Sequence, residues 1–309
     1  LSFTSVSQNV SPTRIKKAED APYNGIFYAR QTWKELHRRS VNVLTEVLGE
    51  GCDTVQRGFV AFQNAEDMAA LLTGKGDRGV PLRGILALQK KEDGWLAPMP
   101  VVSGRFFSSD EAMEVMVTDA FARDTLKFTQ SGEGMALPPN TWLTVNGVRL
   151  RLVGLLDSDK MENIRDLRGV SIVPQILSGK TSFTMGQETL LEEEEVPEGT
   201  FQDVNPRFYV VVPFGIRNML GVPVVSVSIK LPSAQEVWSR TLEFAHYSNN
   251  KVYLGARERF MLNPNRAEHE EPIYEQPGRY YLGTGFETTF GGLGSLLIPL
   301  LVSATIVFN

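Results

Sequence analysis

The sequence has almost no cysteine and little histidine. Cys52 is the single thiol among 309 residues, so no disulfide can close within the chain. There is no CxxC pair and no Cys/His cluster, which excludes a structural zinc site of the usual ligand spacing. The three histidines are scattered: His37 in a basic stretch, His246 near the end of an apolar-periodic run, and His269 in RAEHEEP. His269 with Glu270 or Glu271 offers only adjacent loop ligands, whereas a metal needs several that converge, so this stretch reads as a solvated loop. Excess positive charge is missing too. With 31 basic against 36 acidic residues and a net charge of -5, nothing draws the chain toward polyanions, and nucleic acid is not an expected partner.

Catalytic signatures are equally scarce. Gly179-Lys180-Thr181 looks like the end of a phosphate-binding loop, but Pro174 stands where the first glycine belongs. The glycines at 283, 285, 291, 292 and 294 lack the acidic residue that a dinucleotide fingerprint places about 20 positions on. No GxSxG occurs, and Cys52 in GEGCDTV has no base nearby in sequence, so it reads as a small buried residue at the start of a strand. Glu192 to Glu195 form a block rather than spaced calcium ligands, and their mutual repulsion keeps them in water. No catalytic, cofactor-binding or metal-binding residue is assigned, no cofactor is expected, and the chain is not read as an enzyme.

What is present begins with an apolar ending. From Leu293 to Phe308 no side chain ionises, just short of the roughly 20 residues of a membrane helix. Residues 7 to 25 are polar and read as a linker. Its basic residues Arg14, Lys16 and Lys17 are ordinary solvated charges, or headgroup contacts if a membrane helix precedes them. Thr32 and Glu35 have capping-box spacing ahead of a helix over 32 to 48, which Gly49 is placed to end. Strands are predicted over 54 to 63 and 80 to 90, with a short helix in AEDMAALL between them. EVMVTDAFARDTLKF reads as a strand entering a helix. TWLTVNGVRLRLVGLL reads as a hairpin turning at Asn146-Gly147, with Val148, Leu150 and Leu152 facing the core and Arg149 and Arg151 the solvent.

RGVSIVPQ and RFYVVVPF are predicted strands ending at Pro174 and Pro213, separated by a long acidic loop or loose hairpin. VVSVSIKL alternates strictly, with Val225, Val227, Ile229 and Leu231 on one face. Ser233 and Glu236 then open a second helix, and NKVYLG returns as a strand, so 224 to 254 form a βαβ-type unit. Strands mixed with a few helices define an α+β fold.

The order of these pieces resembles a family. VVSGRFFSSDEAMEVMVTDAFARDTLKF, WLTVNGVRLRLVGLLD, DLRGVSIVP, FYVVVPF and VVSVSIKLPSAQEVWSRTLEF follow one another as in the periplasmic core domain of MacB/FtsX-like ABC transporter permeases, over about 100 to 245. The resemblance implies a MacB-type core lying between the first and second membrane helices. A discontinuous porter-like part would span 26 to 103 and 218 to 280, and a mainly-β sabre-like insertion 104 to 217. Residues 1 to 25 would be the end of the first membrane helix and a linker, and 281 to 309 the hinge and start of the second.

The resemblance further implies a bacterial inner-membrane permease with this segment on the periplasmic side. A partner ABC ATPase would hydrolyse the nucleotide, and a second permease copy or paralogue would complete a dimer. Membrane lipid would lie alongside, and a lipoprotein, peptide or drug would be moved. The residues singled out have structural roles: Asn146 and Gly147 as the hairpin turn, Gly104 at the junction of the two parts, and Gly291, Gly292 and Gly294 as the hinge into the membrane. Two other classes stay open from the residues alone: a periplasmic α+β hydrolase with an unrecognised carboxylate or metal site, and a membrane-anchored binding module.

Overall fold

A computed structural model describes residues 12–15, 21–29, 35–36, 38–48, 50–62, 69–72, 80–128, 130–131, 134–177, 201–245, 252–264 and 271–282. The fold is mixed α+β and divides into two compact units. The first takes residues 1–32, 37–54 and 227–309, and the second 33–36 and 55–226.

In chain order the elements are β1 (Thr13–Arg14), β2 (Gly25–Ala29), α1 (Arg38–Asn42), β3 (Asp53–Ala61), β4 (Ala69–Leu72), β5 (Val80–Leu82), β6 (Gly84–Leu88) and β7 (Val101–Gly104). There follow β8 (Glu114–Thr118), α2 (Asp119–Asp124), β9 (Gln130–Ser131), β10 (Gly134–Met135), β11 (Trp142–Val145), β12 (Val148–Leu156) and α3 (Ser158–Asn163). The chain then forms β13 (Gln175–Leu177), β14 (Phe201–Asp203), β15 (Tyr209–Pro213), β16 (Val224–Lys230), α4 (Ala234–Ala245), β17 (Val252–Ala256), β18 (Phe260–Met261), β19 (Tyr274–Glu275) and β20 (Gly278–Leu282).

The second unit is built on strands in the order β3-β6-β15-β8-β12-β11-β4-β5, with β7 also paired to β12. β15 runs parallel to β6, and β12 parallel to β8, while β15 and β8 are antiparallel. Both faces of the central strands are covered, which is why they read as continuous apolar runs rather than alternations. On one face Ile85, Val115, Val117, Val210 and Val212 pack under Phe121 of α2 and Phe214, Ile216 and Leu220 of a 3₁₀ turn. Their neighbours Leu86, Met116, Tyr209 and Val211 point the other way, against Met99, Phe107 and Met161.

The first unit carries β1-β20-β17-β2-β16. Ala234, Val237, Trp238 and Thr241 recur at helical spacing along α4 and are buried, and Trp238 Nε1 donates to the Leu262 carbonyl at 3.0 Å. The cap predicted at Ser233 forms, its hydroxyl accepting from Glu236 N at 3.1 Å. β16 and β17 are not neighbours: β2 lies between them, so the βαβ-type segment is a split one.

Several expectations need correction. The helix expected from 32 begins at Arg38, since residues 35 and 36 are not helical, and it continues as a π turn over Val43–Leu48. The AALL end of the expected short helix is strand β4, recruited by pairing with β11. The expected strand RGVSIVPQ is a turn closed by a single Arg165–Ser171 bridge, and a strand starts only at Gln175. The alternation in β16 does not mark a solvent face, because Ser226 and Ser228 are as buried as the valines. Cys52 is half-buried. The linker contains β1, and β13 pairs with β14, so the two ends of the acidic 178–200 segment form a hairpin stem. Glu192 to Glu195, Thr32, Gly49, the three histidines and the residues beyond 282 lie outside the described residues.

Candidate interaction surface

Among the described residues, no group of three His, Cys, Asp or Glu side chains is placed to hold a metal ion. No helix among them is long and apolar enough to cross a membrane. The polar groups that stand out are buried or oriented charges, one set of them around the β11–β12 hairpin.

The hairpin turns as the sequence predicts. Asn146 has φ 47° and Gly147 φ 82°, the positive pair of a type I′ turn. Counting back from this turn, Val145 pairs with Val148, Thr144 with Arg149, Leu143 with Leu150 and Trp142 with Arg151. Leu143, Val145, Leu150 and Leu152 go into the core, so Trp142, Thr144, Arg149 and Arg151 share the opposite face. Trp142 is 41 % exposed, and the Arg149 guanidinium sits 4.8 Å from its ring centroid. Arg149 and Arg151 form no ion pair with a described residue and are both exposed.

Arg151 is also in register with Glu114 across the parallel β8. That carboxylate is already taken. Arg105 grips both its oxygens, and the Ser108 amide and hydroxyl donate to it at 2.9 and 3.0 Å. Burial pushes the Glu114 carboxyl up, but the Arg105 and Ser108 hydrogen bonds outweigh this and leave it below the usual range.

Gly104 is what lets Arg105 reach. It has φ 79° and pairs with Gly154, where the register of β12 shifts. A Cβ on Gly104 would lie 2.2 Å from the Val153 carbonyl oxygen, and one on Gly154 2.4 Å from that of Arg105. Only two glycines allow so close a crossing. Asn146, Gly147 and Gly104 all lie in the second unit, the turn at one end of β12 and Gly104 beside Gly154, seven residues along that strand from Gly147. Gly291, Gly292 and Gly294 are outside the described residues.

Two further polar arrangements lie in this unit. Arg57 and Glu92 form a buried two-pronged pair, with Nε to Oε1 at 2.7 Å and a terminal nitrogen to Oε2 at 2.9 Å. The Tyr209 hydroxyl is buried without a hydrogen-bond partner among the described residues; burial and the nearby Glu162, Asp203 and Asp119 push its pKa up. Glu162 itself is shifted upward by burial, then by Asp203 and Asp159. The sequence reading missed Trp142, although the hairpin arithmetic from Asn146-Gly147 places it opposite Arg151.

No protein-family model matches the chain, and no curated protein matches it. Among solved structures, the chain is similar to the periplasmic region of MacB from Actinobacillus actinomycetemcomitans at 8 % identity. That match covers 74 % of this chain and 85 % of the other, with a TM-score of 0.43. It is also similar to the extracellular domain of the noncanonic ABC-type transporter YknZ from Gram-positive bacteria at 12 % identity, covering 74 % and 96 % of the two chains, with a TM-score of 0.40.

Proposed function

We propose that this chain is the extracytoplasmic domain of an ABC transporter permease. It performs no chemistry itself and couples ATP hydrolysis by a partner ATPase to export or extraction of a lipoprotein, peptide or drug. The observation that carries the reading is the pairing of β1 with β20. Thr13 lies opposite Tyr281 and Arg14 opposite Tyr280, antiparallel, so the start of β1 and the end of β20 lie at the same end of the sheet, on strands about 4.8 Å apart. A domain strung between two consecutive membrane helices needs this, because both of its ends must return to the same membrane surface. The apolar run from Leu293 and the motif order over 100 to 245 support the same reading.

In this reading 26 to 103 with 218 to 280 is the porter-like part, 104 to 217 the sabre-like insertion, and 281 to 309 the hinge and the start of the second membrane helix. The line at 103/104 falls inside the second compact unit, whose main stretch runs from 55 to 226. Partners are an ABC ATPase, a second permease copy or paralogue, and the lipid of the bacterial inner membrane. Motion of the membrane helices would reach this domain through its two adjacent ends as a rigid-body displacement.

The test uses the full-length protein in its own membrane. With Cys52 and any cysteine outside residues 1–309 replaced by serine, Glu111→Cys puts one thiol on an exposed position of the second unit. A membrane-impermeant maleimide should label it in intact spheroplasts, and an ABC ATPase should co-purify in detergent. Labelling only after lysis, or recovery as a free soluble monomer, overturns the proposal.

A further inference from the structure

We infer that the outer face of the β11–β12 hairpin is a docking surface for an acidic segment of a partner protein, one that carries an apolar side chain beside its carboxylates. The inference stands on the hairpin alone and does not depend on the membrane reading.

Three observations combine. Trp142 lies on a sheet face with 41 % of its surface in water, and its register partner there is a charged residue, Arg151. Arg149 stacks on the indole, which fixes the direction of its guanidinium while leaving its N–H donors unused among the described residues. The carboxylate in register with Arg151 belongs to Glu114, which Arg105 and Ser108 occupy. The face therefore presents the Arg149 guanidinium over the indole and Arg151 in register beside it, neither paired with a carboxylate among the described residues. Tryptophan and arginine are the residues over-represented where binding energy concentrates, and guanidinium forks match carboxylates in two-point geometry.

Charge complementarity selects the occupant. A second copy applying the same face in a two-fold arrangement would bring four unpaired arginines together, so the surface is not self-complementary. A lipid-inserting hairpin would carry its aromatic residue at the tip, whereas the tip here is Asn146-Gly147 and Trp142 lies four residues back along β11, beside Arg149. A peptide strand laid across the face, with glutamate or aspartate reaching the arginines and an apolar residue on the indole, uses everything that is exposed.

The probe is a fluorescent peptide of alternating glutamate and leucine, titrated by anisotropy against the full chain, with the glutamine version as its control. The glutamate peptide should bind and the glutamine peptide bind at least about 10-fold more weakly, because charge-assisted bonds are lost. Arg149→Ala with Arg151→Ala should cost about 30-fold or more and Trp142→Ala about 10-fold, while Arg151→Lys, which keeps the charge but loses the two-point geometry, should recover only part of the Arg151→Ala loss. Circular dichroism and the melting temperature check that each variant is folded. Equal binding of both peptides, or unchanged binding by the folded double variant, overturns the inference. So does arginine-dependent binding to phosphatidylglycerol vesicles without peptide binding, which would assign the face to lipid. Self-association lost in the same variant would assign it to a second copy and equally overturn the inference.

Discussion

Removing the Glu92 carboxylate should destabilise the second unit more than any surface change. Arg57 on β3 is 4 % exposed and Glu92 0 %, so the guanidinium and carboxylate are both out of water and satisfy each other at 2.7 and 2.9 Å. Glu92 sits in a single 3₁₀ turn, Lys90–Glu92, and fastens the segment after β6 to the sheet. Truncating one partner of such a pair leaves a buried charge uncompensated, at a cost of about 3–5 kcal/mol. For a unit of this size each kcal/mol lowers the midpoint by about 2–4 °C, so Glu92→Ala should melt roughly 6–20 °C below the parent by scanning calorimetry. Replacing both partners, Arg57→Met with Glu92→Met, removes the charge together with its need for a partner. The double variant should therefore recover most of the loss, because a buried ion pair is often no better than well-packed apolar groups. The reasoning is refuted if Glu92→Ala melts within about 2 °C of the parent, or if the double variant is as unstable as the sum of the two single ones.

Three other outcomes follow from the same geometry. Gly104→Ala must place a Cβ 2.2 Å from the Val153 oxygen at φ 79°, and should cost about 2–5 kcal/mol in urea unfolding; a change below about 1 kcal/mol would show that β7 can slide away from β12. Tyr209→Phe deletes a buried hydroxyl without a partner among the described residues, so stability should hold or rise by about 1–2 kcal/mol, and a comparable loss would mean the hydroxyl is bonded in solution. Glu162 has a raised pKa, so the folded state holds its proton more tightly than the unfolded state does. Stability from this group is full at low pH and falls as pH rises from the ordinary carboxyl range through the folded value; Glu162→Gln should flatten that slope and be the more stable at pH 7, as equilibrium unfolding at several pH values would reveal.

Local chemistry made some elements legible. Asn146-Gly147 with flanking alternation gives a hairpin whichever fold surrounds it, and Ser233 caps α4 through its own hydroxyl. Where two local signals compete, the sequence misleads. In DLRGVSIVP the β-branched residues read as a strand, but Asp166 accepts from the Arg168 amide at 2.7 Å and takes the Arg168 guanidinium as well. With Gly169 at φ 82°, that closes a turn which consumes the hydrogen bonds a strand would need. In AALL the residues favour a helix intrinsically, and pairing with β11 overrides a preference worth only tenths of a kcal/mol per residue. The interaction face was legible as geometry and illegible as chemistry. The turn fixes that Trp142 opposes Arg151, yet outward arginines on a strand look like any solvated face until the neighbouring carboxylate is accounted for. That carboxylate, Glu114, comes from a parallel strand whose pairing nothing in the sequence specifies. Its capture by Arg105 depends on two glycines, 104 and 154, that lie 50 residues apart in the chain and meet only in the fold.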